Sequence, residues 1–393
     1  MAAGSASSTR PVSPRNGTGY FFAIVFTALS LLAVYMLRIA SIKSGVADKM
    51  EHITTINHFT EHPLPLRTTY TGIAALDKGL SFLVAAFMNG AAGWDKGFFV
   101  FMMYFLFSFF PIVAIWAIES CRKRNVLALT RFTTIYALFY QTVGGAIIVP
   151  IYYLAYLYDT SSSNYWTKPR HVPLPYAKAL LPSLIIGYLI PTALMFLPYS
   201  APDLWTTQAM VAFWQPCPAY VDALLWLLSK VYSYAGSSQG QAAAAAAQQA
   251  KYKKASSTHE AEDVRYLHTV YMVSFAVAAL SHVAVVLTCL LSSDSQHSFQ
   301  HMFLPPSAGE VQLSLVQGIH GIFQADFWII FAASAVWAYL AIWDLKRVGL
   351  KKDVNLGTAL VELMLGCVAL GPAATITLVW WWREGVLVKG GRA

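Results

Sequence analysis

The stretch Gly97-Phe98-Phe99-Val100-Phe101-Met102-Met103-Tyr104-Phe105-Leu106-Phe107-Ser108-Phe109-Phe110-Pro111-Ile112-Val113-Ala114-Ile115-Trp116-Ala117-Ile118 decides the fold. It carries no charge, and at ~1.5 Å of helical rise per residue it can cross the ~30 Å of hydrocarbon in a bilayer. Eight further apolar runs flank it, at 20–37, 79–92, 132–158, 179–199, 206–232, 267–291, 326–343 and 358–382. This pattern predicts an all-α, polytopic transmembrane bundle of seven to nine helices. The composition agrees: 57% of the 393 residues are hydrophobic and 12% are charged, against roughly 45–50% and ~25% in soluble domains. So apolar a chain cannot cover a water-facing surface with polar side chains. Disordered, collagen-like and disulfide-scaffold classes are excluded, and Cys121, Cys217, Cys289 and Cys367, all in or beside apolar runs, read as core thiols.

Residues 1–19, rich in Ser, Gly and Pro, read as a disordered N-terminal tail. The run that follows has no small-residue cleavage pattern and reads as a first transmembrane helix or signal anchor. The Ala- and Gln-rich stretch 236–257 marks 233–265 as a low-complexity cytoplasmic linker. It separates a first helical part, 20–232, from a second, 266–382, with a C-terminal tail at 383–393. The basic loops 119–131, 233–265 and 344–357 read as cytoplasmic, and 292–325, which has no Lys or Arg, as lumenal. An integral, multi-pass protein of the endoplasmic reticulum is expected. One inconsistency remains. Three runs separate the first two basic loops, and an odd number of crossings changes side. Either one run fails to span or 119–131 is misassigned. Pro216 and Pro218 make 206–232 the suspect, as a re-entrant or interfacial piece.

Several chemistries have no motif to support them. There is no P-loop, no zinc-ligand spacing, no esterase elbow and no carboxylate cluster to hold Mg²⁺ against a diphosphate. No metal and no other cofactor is expected. Aromatic residues lie inside apolar runs instead of alternating with a basic surface, which excludes nucleic acid as a partner.

Polar groups at membrane depth are costly, so each is a functional candidate. Asp326 and Gln324 stand in Phe323-Gln324-Ala325-Asp326-Phe327-Trp328. Gln317, His320 and Gln324 share a helical face; Asp326 lies on another and needs a bend to join them. The bland alternative for Asp326 is a helix cap. Trp214, Gln215, Tyr220 and Asp222 surround the prolines of 206–232, where a broken helix lines a cavity or simply kinks. Asp77 stands at a helix entrance, where it could face a site or pair with Lys78 or water. His282 is mid-helix, as a proton donor or a hydrogen-bonded core histidine. Glu119, next to Arg122 and Lys123, reads as a surface ion pair.

Three stretches carry a resemblance to a known family: Tyr70-Thr71-Gly72 to Leu76-Asp77 with Leu80 and Val84-Ala85-Ala86-Phe87; Phe213-Trp214-Gln215-Pro216; and Gln324-x-Asp326 to Trp337-Ala338. Over about 70–345 the chain resembles the fungal integral-membrane terpene cyclases of meroterpenoid pathways, of the ascochlorin/ascofuranone and macrophorin type. The resemblance implies an isomerising cyclase without metal or nucleotide. It would fold the farnesyl chain of a prenylated aromatic or quinone by protonating an epoxide or a terminal alkene. The physical logic fits. A lipophilic prenylated substrate already resides in membrane lipid. A carboxyl in apolar surroundings keeps its proton at neutral pH and acts as a general acid. Aromatic faces stabilise the cation by ~0.5–2 kcal/mol each, and water must be excluded. On this reading Asp326 is the acid, with Gln324 orienting it. Asp77, Asp222 and His282 support it, and Trp214, Trp328 and Trp337 form walls, with Gln215, Tyr220 and His320 around the substrate. The competing expectation is a multi-pass transporter or lipid-binding membrane protein of a secondary-metabolite pathway. It would show a continuous polar path through both leaflets where a cyclase has a pocket with one acid.

Overall fold

The structure, a computed structural model, describes residues 14–199, 204–247 and 262–390. It is an all-α bundle: α1 (Gly17–Lys43), α2 (Val46–Ile56), α3 (Ala74–Ala91), α4 (Lys96–Cys121), α5 (Thr133–Val143), α6 (Gly145–Asp159), α7 (Leu174–Met195), α8 (Trp205–Trp214), α9 (Cys217–Ala247), α10 (Val264–Leu291), α11 (Phe299–Phe303), α12 (Ala308–Leu313), α13 (Leu315–Arg347), α14 (Leu356–Ala369) and α15 (Pro372–Lys389). Among the described residues the only β contact is an isolated bridge, His58 to Pro65. Five helices, α1, α4, α7, α10 and α13, are long and apolar enough to cross a membrane. The four cysteines are free thiols.

The run 132–158 does not cross. α5 descends antiparallel to α4, with Tyr136 and Tyr140 beside Trp116 and Tyr140 beside Phe109. The chain turns at Gly144, φ 114°. α6 then returns parallel to α13: Ala146 meets Asp326, Tyr153 meets Ser334 at 2.6 Å, and Arg15 joins the Leu157 carbonyl to Asp344. The Asp159 carboxylate closes the open end by accepting the Leu129 and Thr130 amides at 3.1 and 2.9 Å. The hairpin enters and leaves by one face.

This corrects the suspicion that fell on 206–232. α8 and α9 together traverse the bundle, kinked at Gln215–Pro216 and antiparallel to α7: Trp214 Nε1 donates to Thr192 Oγ1 at 2.9 Å, and Gly187 lies against Val221. With 132–158 turned back, 119–131 and 344–357 fall on the same face as Asp263–Arg265, the described end of the linker. The 292–314 segment lies on the opposite face. The basic face is the one the Lys and Arg excess marks as cytoplasmic. The run 358–382 is a second hairpin, broken at Gly371, φ 89°, and Pro372. Its ends meet where Gly390 packs on Leu350.

Three further expectations change. α1 begins at Gly17, and Arg15, placed in a tail, is buried against Asp344; residues 1–13 lie outside the described residues. α9 continues into the linker as far as Ala247, beyond which 248–261 lie outside the described residues. α15 runs through the expected C-terminal tail to Lys389 because Arg383 and Glu384 are anchored inside.

That anchor is an ionic cluster, and Glu119 belongs to it instead of to the surface. Arg122 binds Glu119 at 2.7 Å and also Glu384; Arg170 binds Glu384 at 2.7 Å and Asp263 at 3.0 Å; Arg383 binds Glu119 at 3.2 Å. All of these groups are buried. Removing one partner strands a buried charge, at a cost of about 3–5 kcal/mol.

Three outcomes test this architecture. Arg170→Met should lower the thermal unfolding midpoint in detergent far more than Lys96→Met, whose exposed pair with Asp294 is worth less than ~1 kcal/mol. In a cysteine-free background, Lys123→Cys and Ser161→Cys should react with an impermeant thiol reagent from one side, and Ser293→Cys from the other. If Lys123 and Ser161 labelled from opposite sides, 132–158 would be a crossing. Gly144→Ala should cost about 1–3 kcal/mol because of its positive φ; Gly79→Ala, with open space around it, should not destabilise.

Candidate active site

A cavity of about 560 Å³ lies between the apex of the first hairpin and the face opposite the basic one. The end of α1 and α2 form one side, α3 and α4 another, and α13 and the apex its inner end. Exposed Glu51 and Lys78 mark its opening, and Arg38 lies where the end of α1 meets the apex. Its depth is aromatic: Phe87, Phe105, Phe109, Tyr140, Trp214 and Phe323 line it. Phe87 links two walls, with ring centroids 5.3 Å from Trp214 and 5.0 Å from Phe323.

Asp326 stands at the inner end. α6 starts at Gly144 without a side-chain cap, so its first N–H groups lack partners. Asp326 Oδ1 supplies one, accepting the Ala146 amide at 2.6 Å. Gly145 permits this approach, since a Cβ there would come within 3.3 Å of Oδ2. On the other side of the break, Arg38 Nη2 donates to the Thr142 and Val143 carbonyls, 3.0 and 2.6 Å away, at the end of α5. A carboxylate meets the N-terminus of one half-helix and a guanidinium the C-terminus of the other, as the helix dipoles favour.

The other candidates are distributed through the fold. Trp214 lines the cavity. Trp337 lies in the basic half, stacked on Tyr153 at 4.4 Å and tilted against Trp380 at 4.2 Å. Trp328 is half exposed and donates to the Phe303 carbonyl. Asp77 closes its own loop: Oδ1 accepts the Thr71 and Tyr70 amides at 2.7 and 3.2 Å and the Thr71 hydroxyl, and Oδ2 accepts the Gly72 amide. The Thr71 amide beside it holds this carboxyl below its ordinary range. Asp222 accepts the Thr133 and Thr134 hydroxyls and ties α9 to the base of the first hairpin. His282 donates from Nε2 to the Val368 carbonyl at 3.1 Å and accepts the Tyr104 hydroxyl at Nδ1, at the apex of the second hairpin. The Gln215 carbonyl accepts from Gln141, while Tyr220 packs on Phe213. Gln324 donates to the His301 and Met302 carbonyls, and His320 stacks on Phe98 at 4.5 Å. Neither lines the cavity with Asp326, as their different helical face requires.

Arg38, Glu51, Lys78 and the apex glycines were not singled out in the sequence. Gly144-Gly145 within an apolar run was the available signal, because paired glycines there mark a break. Arg38, one residue beyond the first apolar run, looked like an ordinary flanking charge.

A family model described as the CtvD domain matches residues 22–388. Terpene cyclase ascI of Acremonium egyptiacum is 26% identical over 79% of this chain and 78% of its own length. Terpene cyclase ctvD of Aspergillus terreus is 28% identical over 54% of this chain and 60% of its own. FAD-dependent monooxygenase verC1 of Penicillium polonicum is 25% identical over 70% of this chain, but the match spans only 31% of that longer protein. No solved structure matches. The family match extends from α1 to α15 and includes both hairpins and every wall of the cavity, and the resemblance read from the Tyr70, Trp214 and Asp326 stretches stands: the chain belongs to the CtvD domain family, the family of the fungal terpene cyclases it resembles.

Proposed function

We propose that the chain is a membrane-embedded terpene cyclase. It folds the farnesyl chain of a prenylated aromatic or quinone by proton-initiated cyclisation, in the endoplasmic reticulum membrane. The observation that carries this reading is Asp326 at the inner end of a cavity walled by Phe, Tyr and Trp. Its volume suits one drug-sized lipophilic molecule, for which pockets of ~300–1,000 Å³ are usual. Family membership and the relatives' names support the reaction class.

The chemistry follows from the lining. The substrate arrives from membrane lipid, with its polar head at the Glu51 and Lys78 opening and its prenyl terminus inward. The Ala146 N–H holds one oxygen of Asp326. The other carries the proton and delivers it to the terminal epoxide or alkene. The resulting cation migrates along the chain beside Phe87, Phe105, Trp214 and Phe323, whose faces stabilise it by cation–π attraction. Apolar walls keep water from quenching it. Loss of a proton from carbon, or capture by a substrate hydroxyl that then sheds its proton, ends the sequence, and the released proton restores the Asp326 carboxyl.

The transporter reading requires polar passage through both halves. Beyond the apex the basic half is filled by Trp116 on Tyr152, ring centroids 3.7 Å apart, and by the Tyr153, Trp337 and Trp380 stack. That packing favours the cyclase.

The test uses microsomes containing the protein, incubated with farnesylated phenol epoxides and their parent alkenes and analysed for products of unchanged mass. Wild type should convert one class. Asp326→Asn should lose at least ~10²-fold, while Asp222→Asn, which alters a tie outside the cavity, should retain activity per folded molecule. Undiminished cyclisation by Asp326→Asn removes Asp326 as the donor. Trp214→Leu should lower the rate and divert the product mixture toward less cyclised material.

A further inference from the structure

We propose that Asp95, His301 and His320 form a binding site for one divalent transition metal of the zinc class, which clips the 292–306 segment to the bundle. The three come from distant parts of the chain. Asp95 is the N-cap of α4, His301 lies in α11, and His320 is in the second turn of α13. One donor atom from each lies within 4.8 Å of the others. Zinc binds nitrogen and carboxylate oxygen at ~2.0–2.2 Å, so its ligand atoms stand roughly 3.3 Å apart. Small side-chain rotations would close the set.

The polar accounting at this place is incomplete without such a ligand. Asp95 accepts from His301 Nε2 at 2.8 Å, from Gln317 Nε2 at 2.8 Å and from the Phe98 amide at 2.7 Å. An Asp95–His301 ion pair explains those contacts and nothing more. His320 Nε2 lies 3.3 Å from Gln324 Nε2, while His320 Nδ1 and, one turn on, Gln324 Oε1 are buried without a protein partner, a cost that such groups ordinarily avoid. A metal would take up the imidazole nitrogen, and its remaining positions would offer water to Oε1. Two imidazoles and one carboxylate suit zinc-class ions better than Mg²⁺ or Ca²⁺, which prefer all-oxygen shells. Gln317 would orient the ligating carboxylate, as outer partners of metal ligands do.

The site belongs to the cavity's architecture, not to its chemistry. Ile319 and Phe323, on either side of His320 in the chain, line the cavity. A metal here would stiffen that wall, and no proton or electron passes through it. The inference stands or falls independently of the cyclase reading.

The test is metal content and stability of the full-length protein, purified in detergent through a tag without histidine. After incubation with Zn²⁺ and desalting, wild type should retain about one zinc per chain, and chelation should lower its unfolding midpoint until Zn²⁺ is restored. His320→Ala and Asp95→Asn should retain none and show no zinc-dependent shift, while His52→Ala, at an exposed histidine, should behave as wild type. Wild type holding no zinc, or His320→Ala holding as much as wild type, overturns the proposal. If both variants fail to fold, Co²⁺-loaded wild type decides. Visible d–d bands of a nitrogen-ligated site support the proposal, and their absence overturns it.

Discussion

A helix broken inside a bilayer exposes backbone groups that no water can reach, and every one must find a partner within the protein. The turn at Gly144-Gly145 is that problem, and Asp326 and Arg38 are its solution. The architecture of the candidate site depends on this pairing. It holds the hairpin apex between α1 and α13, ends the filled half of the bundle, and leaves space above the apex. It also places a carboxyl at the inner end of that space. A structural necessity and a chemical opportunity occupy one side chain.

The two halves of the molecule are built differently. Lipid tails are as apolar as Leu, so helices in a membrane are held by close packing and internal polar ties instead of by hydrophobic burial. The basic half uses both. Aromatic rings pack in contact from Trp116 through Tyr153 and Trp337 to Trp380, and the Glu119, Arg122, Arg170, Asp263, Arg383 and Glu384 cluster joins four segments that are remote in sequence. This rigid base supports the hairpin. The cavity lies in the opposite half, beside α2 and α3, with an opening for a substrate.

A cation-forming reaction asks for little functional machinery and much exclusion. One acid is enough to begin it; the remaining requirement is a wall that neither reacts nor admits water. The cavity's lining has that character over much of its depth, with Glu51 and Lys78 at the opening and Asp326 at the inner end. On the proposed reaction, that is why the candidate site has no conventional motif and is spread over α1, α2, α3, α4, α5, α6, α8 and α13.

The amino-acid sequence by itself determined the membrane class, most of the helical runs and the basic face, and it singled out Asp326 as a candidate, because hydropathy, charge and the cost of a buried carboxyl are local properties. It also exposed its own contradiction, an odd number of runs between two basic loops. Which run turned back was not legible. Pro216 and Pro218 looked like the stronger break, yet proline kinks a helix without reversing it, whereas Gly144 adopts the positive φ that reversal needs. Only the tertiary structure decided that Glu119 and Arg383 are buried partners, that Trp337 packs the base while Trp214 lines the cavity, and that Arg38 answers Asp326 across the apex. Those facts depend on residues more than one hundred positions apart meeting in space, and helical periodicity says which face a side chain takes but not which helix it meets.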